Sequence, residues 1–165
     1  MKLSRRRSPR AQGPPVVFEG RCGEPALLVL DAEGEAKRGD LPPTWEPLLD
    51  RARVGWVRMP VFLEQRGDAF AFVPQDAERV YVLANGSAAE AALHVSALHS
   101  DVVRSVLLVD PMTDGRSLDQ LPVPVRVVAD SEDVRNEAGA PLPLGHPVVV
   151  AAVEKALREL EAAVA

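Results

Sequence analysis

Short β-branched apolar runs, recurring between helix-compatible stretches, are the feature that most limits what this chain can fold into. They are Val16 to Phe18, Ala26 to Leu30, Val54 to Met59, Val80 to Ala84, Val103 to Val109 and Val123 to Ala129. Several are apolar throughout rather than alternating, as strands covered on both faces are. Helical signals fall between many of them. Thr44 is placed to cap a helix running through Leu48, Leu49 and Ala52, with Pro47 tolerated in a first turn whose amides lack intrahelical partners. Ala88 to about Ser100 is a second helix. In the last, Val150, Val153, Leu157, Leu160 and Val164 keep the three-four spacing while Glu154, Arg158, Glu159 and Glu161 point elsewhere. The alternation predicts an α/β fold, a mostly parallel sheet with helices on both faces. Right-handed crossovers then gather the strand-end loops on one edge, where ligands of such sheets bind.

Length and charge bound the organisation. At 165 residues and 47% hydrophobic content the chain fits one domain with a sizeable core, and no apolar run approaches the ~20 residues of a membrane span. Aromatic content is only 4% and alanine and valine dominate, so small β-branched and methyl-bearing side chains rather than rings are expected to build that core. The single cysteine, Cys22, rules out an internal disulfide and is more often incidental than reactive. With no apolar leader at the N-terminus, the expected location is cytoplasmic. The first ten residues hold Lys2, Arg5, Arg6, Arg7 and Arg10 and no acid, +5 in a chain of net charge −5. With no aromatic interleaving, this reads as a solubilising tail rather than a nucleic-acid arm, and nucleic acid is not an expected partner. Gln12-Gly13-Pro14-Pro15 marks the boundary between a disordered basic tail over 1–13 and a single domain over 14–165.

The chemistry-bearing residues cluster after the strands. Val80 to Ala84 leads into Asn85-Gly86-Ser87 and then a small-residue helix, which puts Ser87 at a strand-to-helix turn beside the amide donors of a helix N-terminus. A nucleophile sits in such a place, and so does an ordinary serine cap. Asp130 and Asp133 follow the last apolar run, and His146 precedes the last helix. Serine, acid, histidine is the chain order of one arrangement in which histidine takes the serine proton and the acid orients the ring. His94 and His99 are five apart and do not share a helical face, so no metal site is expected. Asn85-Gly86-Ser87-Ala88-Ala89-Glu90 lacks the glycines and lysine of a phosphate loop, and no cofactor is expected.

Over residues 25 to 160 the chain resembles the α/β hydrolases. Trp45-Glu46-Pro47-Leu48-Leu49 looks like the segment after the family's third strand, and Val80 to Ala92 like the nucleophile elbow. Val106 to Pro111 looks like the strand that follows, Leu121 through Asp133 like the strand and loop carrying the acid, and Gly145-His146 like the base region. The resemblance implies Ser87 as nucleophile, Asp133 as orienting acid, His146 as base, and the backbone amides of Ala88 and Ala32 as oxyanion donors. The chain departs from the family at Asn85 and Ala89, where GxSxG has glycines, and at Asp31-Ala32, where a His-Gly pair is usual. A carboxylate beside a developing oxyanion would repel it. Only about a dozen residues separate Asp133 from His146, and there is no cap domain. The resemblance thus describes a shortened, degenerate member with two open readings. One is a small serine hydrolase, esterase-like or thioesterase-like, acting on an acyl substrate. The other is a non-catalytic hydrolase-fold module, a pseudoenzyme, that serves binding or assembly with a protein partner through its strand-end edge or its basic arm. A homodimer is compatible with either.

Overall fold

The computed structural model describes residues 14–20, 25–36, 40–59, 77–113, 121–131 and 141–164. The basic tail, Cys22 and Asp133 lie outside them.

All six apolar runs are strands of one sheet: β1 (Val16–Glu19), β2 (Ala26–Asp31), β3 (Arg53–Arg58), β4 (Val80–Asn85), β5 (Val103–Val109) and β6 (Val125–Ala129). The strand order is β1-β3-β2-β4-β5-β6, with every pairing parallel except that of β1 on β3. β2 and β4 are buried at every position, which is why their sequences show no alternation.

The faces of this sheet carry two separate cores. Leu27, Val29, Trp56, Tyr81, Leu83 and Leu107 point to one, where they meet Trp45 and Leu48 of a 3₁₀ helix (Pro43–Asp50) and Val150, Val153 and Leu157 of the C-terminal helix. Leu28, Leu30, Val82, Ala84, Val106 and Leu108 point to the other, where Ala89, Ala92 and Leu93 of the middle helix cover them. The middle helix is α1 (Ala89–Leu98) and the C-terminal helix α2 (Pro147–Val164). Rings do enter the core, contrary to the expectation from composition: Trp45, Trp56 and Tyr81 are all buried in it. Trp45 and Trp56 meet edge to face, 4.8 Å between ring centroids, and anchor the 3₁₀ helix to β3.

Three boundaries differ from the sequence expectation. Thr44 does not cap its helix; Pro42 stands at the cap with no side-chain bond, and the Thr44 hydroxyl instead donates to the Gly145 carbonyl at 2.7 Å. β6 begins at Val125 rather than Val123, because Pro124 has no amide to give a ladder and presents its carbonyl to the Val106 amide. α1 begins at Ala89, preceded by a 3₁₀ turn over Gly86–Ala88.

The order places a topological switch between β2 and β4. From β2 the chain moves to β3 on one side, then crosses to β4 and continues through β5 and β6 on the other. Crevices outside the carboxyl ends of strands at such a reversal are where open α/β sheets bind ligands. β2 ends at Asp31 and β4 at Asn85, so the loops holding Ala32 and Ser87 flank the crevice. Among the described residues no helix is long and apolar enough to cross a membrane.

Candidate functional site

Ser87 follows β4 directly. Gly86 adopts φ +51, a left-handed conformation that reverses the chain and that few side chains tolerate. A Cβ there would also lie 2.8 Å from the Pro141 ring. The turn is therefore sharp, with its unusual backbone at the glycine before the serine. Ser87 is exposed while Gly86 and Ala88 are buried. The capping reading of Ser87 is not met either: the flanking caps are Asn85 and Ala88, and neither makes a side-chain cap bond. Among the described residues the Ser87 hydroxyl has no hydrogen bond.

His146 ends the segment that leads into α2. Its carbonyl accepts from the Val150 amide, and its Nδ1 accepts from the Val148 amide at 3.1 Å, so the imidazole caps the helix. An imidazole accepting at Nδ1 carries its neutral-form proton on Nε2. No hydrogen bond joins Ser87 to His146 among the described residues, and Asp133 lies outside them.

The amide of Ala32 donates to Asn85 Oδ1 at 3.4 Å. Asn85 is fully buried, and its Nδ2 donates to the Leu142 carbonyl at 3.4 Å. Asn85 is thus a tie between the ends of β2 and β4 and the segment before α2. Asp31 is turned inward, contrary to the expectation that it faces an oxyanion. It is fully buried, and its Oδ2 accepts from Trp56 Nε1 at 2.8 Å and from the Ala36 amide at 3.1 Å. Its register partner on β3 is the equally buried Arg58, which donates to the Pro14 carbonyl at 2.8 Å. Burial lowers the Arg58 pKa from its ordinary value, and the Asp31 charge opposes that shift.

Three residues that the sequence reading did not single out organise this edge. Asp110, just after β5, adopts φ 43 and accepts three hydrogen bonds, from the Ser131 amide at 2.8 Å, the Ser131 hydroxyl at 2.9 Å and the Leu142 amide at 2.7 Å. Burial pushes its carboxyl up, but these bonds, with a further one involving Asp130, outweigh burial and hold it below the usual range. Glu35 accepts from the amides of Leu144 at 2.6 Å and Gly145 at 3.0 Å. Trp45 donates through Nε1 to the Leu144 carbonyl at 2.8 Å. Together with Asn85 and Thr44, these side chains satisfy both backbone groups of Leu142, Leu144 and Gly145. A segment with no ladder of its own crosses the carboxyl edge only because other loops supply its partners. The acids Glu35 and Asp110 and the amide of Asn85, at or soon after the ends of strands, were the available signal, but their partners lie 32 to 110 residues away.

Beside the Ser87 turn lies an open groove of about 420 Å³ lined by Asp110, Pro111, Met112, Val127, Asp130 and Pro141. The Met112 amide donates to the Gly86 carbonyl at 3.0 Å, so the groove and the serine turn share a wall. The groove is predominantly apolar, and Met112 is 64% exposed.

No protein-family model matches this sequence, and no curated protein matches it. Among solved structures the chain is similar to a hydrolase from Oleispira antarctica, at 14% identity and a TM-score of 0.42. The similarity covers 64% of this chain and 46% of that one, so the chain spans less than half the length of that hydrolase.

Proposed function

We propose that this protein is a hydrolase-like α/β module that binds a small apolar or acyl-bearing ligand at its carboxyl edge without turning it over efficiently. The observation that carries this reading is the His146 imidazole. A base for Ser87 needs a free Nε2 lone pair and an Nδ1 proton directed at an acid, whereas Nδ1 here accepts the Val148 amide at the start of α2. The Ala32 amide, the second expected oxyanion donor, faces Asn85. Loss of one such donor costs about 100- to 1000-fold in turnover. The groove beside Gly86 supplies the apolar wall for the ligand.

Treating the full chain with a fluorophosphonate and mapping the adduct by mass spectrometry tests this. The reading expects no adduct at Ser87. Stoichiometric labelling at Ser87 that disappears in Ser87→Ala refutes it.

One observation favours a serine hydrolase instead: the Ser87 hydroxyl is exposed, at the switch-point turn, and has no hydrogen bond among the described residues. In that reading Ser87 attacks an acyl carbonyl, His146 serves as base after its ring leaves the helix cap, Asp133 orients it, and the Ala88 amide is the remaining oxyanion donor. The same labelling experiment decides between the two.

A further inference from the structure

A second groove, of about 300 Å³, runs between β1 and the 3₁₀ helix on the face opposite α1. Its apolar lining comes from Pro42, Trp45 and Leu49 among others, and its rim carries Glu19, Asp40 and Glu46. All three carboxylates are exposed, and among the described residues none has an ion-pair or hydrogen-bond partner. The acids along the C-terminal helix, by contrast, are matched: Glu154 by Arg51 and Arg158, Glu159 by Arg126, Glu161 by Arg79. An apolar floor under three unmatched carboxylates fits an extended cationic peptide.

We infer that the occupant of this groove is the chain's own basic N-terminal segment, residues 1–10, bound in cis. Charge is complementary, since that segment carries Lys2, Arg5, Arg6, Arg7 and Arg10 and no acid. Attachment is favourable too. β1 is antiparallel to β3, so the chain enters it at the carboxyl edge of the sheet, where Arg58 fixes the Pro14 carbonyl. The loop holding Asp40 and Pro42 joins the carboxyl end of β2 to the 3₁₀ helix and so starts from that same edge. β1 itself is only about 13 Å long at ~3.3 Å per residue. Thirteen residues reach at most about 45 Å, so Arg10 and the Arg5 to Arg7 triplet both come within range of the rim without strain. The short strand β1 is an outer strand of the sheet, and a segment lying along the adjoining groove shields it.

Limited trypsin digestion of the full chain tests this directly, because the basic residues that would dock, Lys2, Arg5, Arg6, Arg7 and Arg10, are also the segment's cleavage sites. The rate at Arg10 is compared with that of a synthetic peptide of residues 1–13. At about 50 mM salt the full chain is expected to be cut about ten-fold more slowly than the peptide, and the difference should vanish near 0.5 M salt. Asp40→Asn combined with Glu46→Gln should abolish the protection, and Glu19→Gln should weaken it; all three residues are exposed, so the fold is not at stake. Equal rates at low salt, or protection indifferent to these substitutions, overturn the inference. Protection that grows with protein concentration places the segment on a second copy and overturns docking in cis.

Discussion

Replacing Asp110 by alanine should be among the most damaging single changes at the carboxyl edge. Its carboxylate accepts three hydrogen bonds of 2.7 to 2.9 Å that tie the loop after β6 and the segment before α2 to the end of β5. Bonds to an ionised acceptor contribute about 1.5–3 kcal/mol each, but the Ser131 donors are only part-buried and recover water. The Leu142 amide belongs to a fully buried residue, and stranding it costs about 1–3 kcal/mol. Alanine at φ 43 adds about 1 kcal/mol. Together these give about 3–4 kcal/mol for Asp110→Ala, with Asp110→Gly recovering roughly 1 of it. Urea unfolding at neutral pH with an unchanged m-value measures the loss. Acid supplies an independent check. The native Asp110 pKa lies below its unfolded value, so its stabilisation is present above the unfolded carboxylate range near 3.9 and is lost as pH falls through the lower native value. The gap between the wild type and Asp110→Asn should therefore narrow below about pH 4. An alanine variant within about 0.5 kcal/mol of the wild type, or a gap that acid leaves unchanged, refutes the reasoning.

Gly86→Ala should cost about 2–3 kcal/mol, because a side chain at φ +51 is strained and its Cβ would sit 2.8 Å from the Pro141 ring. In a domain of this size that is a fall of roughly 4–10 °C in Tm, read by thermal circular dichroism, and an unchanged Tm contradicts the turn geometry. Tyr81 is the only tyrosine, so ultraviolet titration reports it alone. Burial, and then the 2.7 Å bond to Glu161 and that group's charge, push its pKa up to about 12. Because the native state holds this proton more tightly than the unfolded chain, stability should fall as pH rises from about 10 towards 12. A midpoint near 10 in the folded protein removes the basis for that claim.

Much of the fold was legible along the chain. Each of the six apolar runs is a strand, and the three-four stripe of Val150, Val153 and Leu157 does face a core. Turn chemistry at Asn85-Gly86-Ser87 was legible as well, because only glycine adopts φ +51 easily. The site was less so. Ser87 stands where the sequence put it, but the bonding of His146 depends on how α2 begins, and that is fixed by the backbone geometry after Pro147. Asp31 read as an obstacle because it precedes Ala32, the expected oxyanion donor; its carboxylate turns instead to Trp56, 25 residues away.

Local sequence settles which segments are strands and helices, because backbone preference and apolar periodicity are properties of neighbours within a few residues. It also determined that the turn at Gly86 leaves Ser87 at a strand's end. Tertiary structure alone decided what the polar groups at that edge do. Asn85, Asp110, Glu35, Thr44 and Trp45 converge on Leu142, Leu144 and Gly145 from separate loops. Buried amides and carbonyls require partners, but nothing local specifies which distant side chain will supply them. That choice is made only when the strand order brings the ends of β2, β4 and β5 side by side.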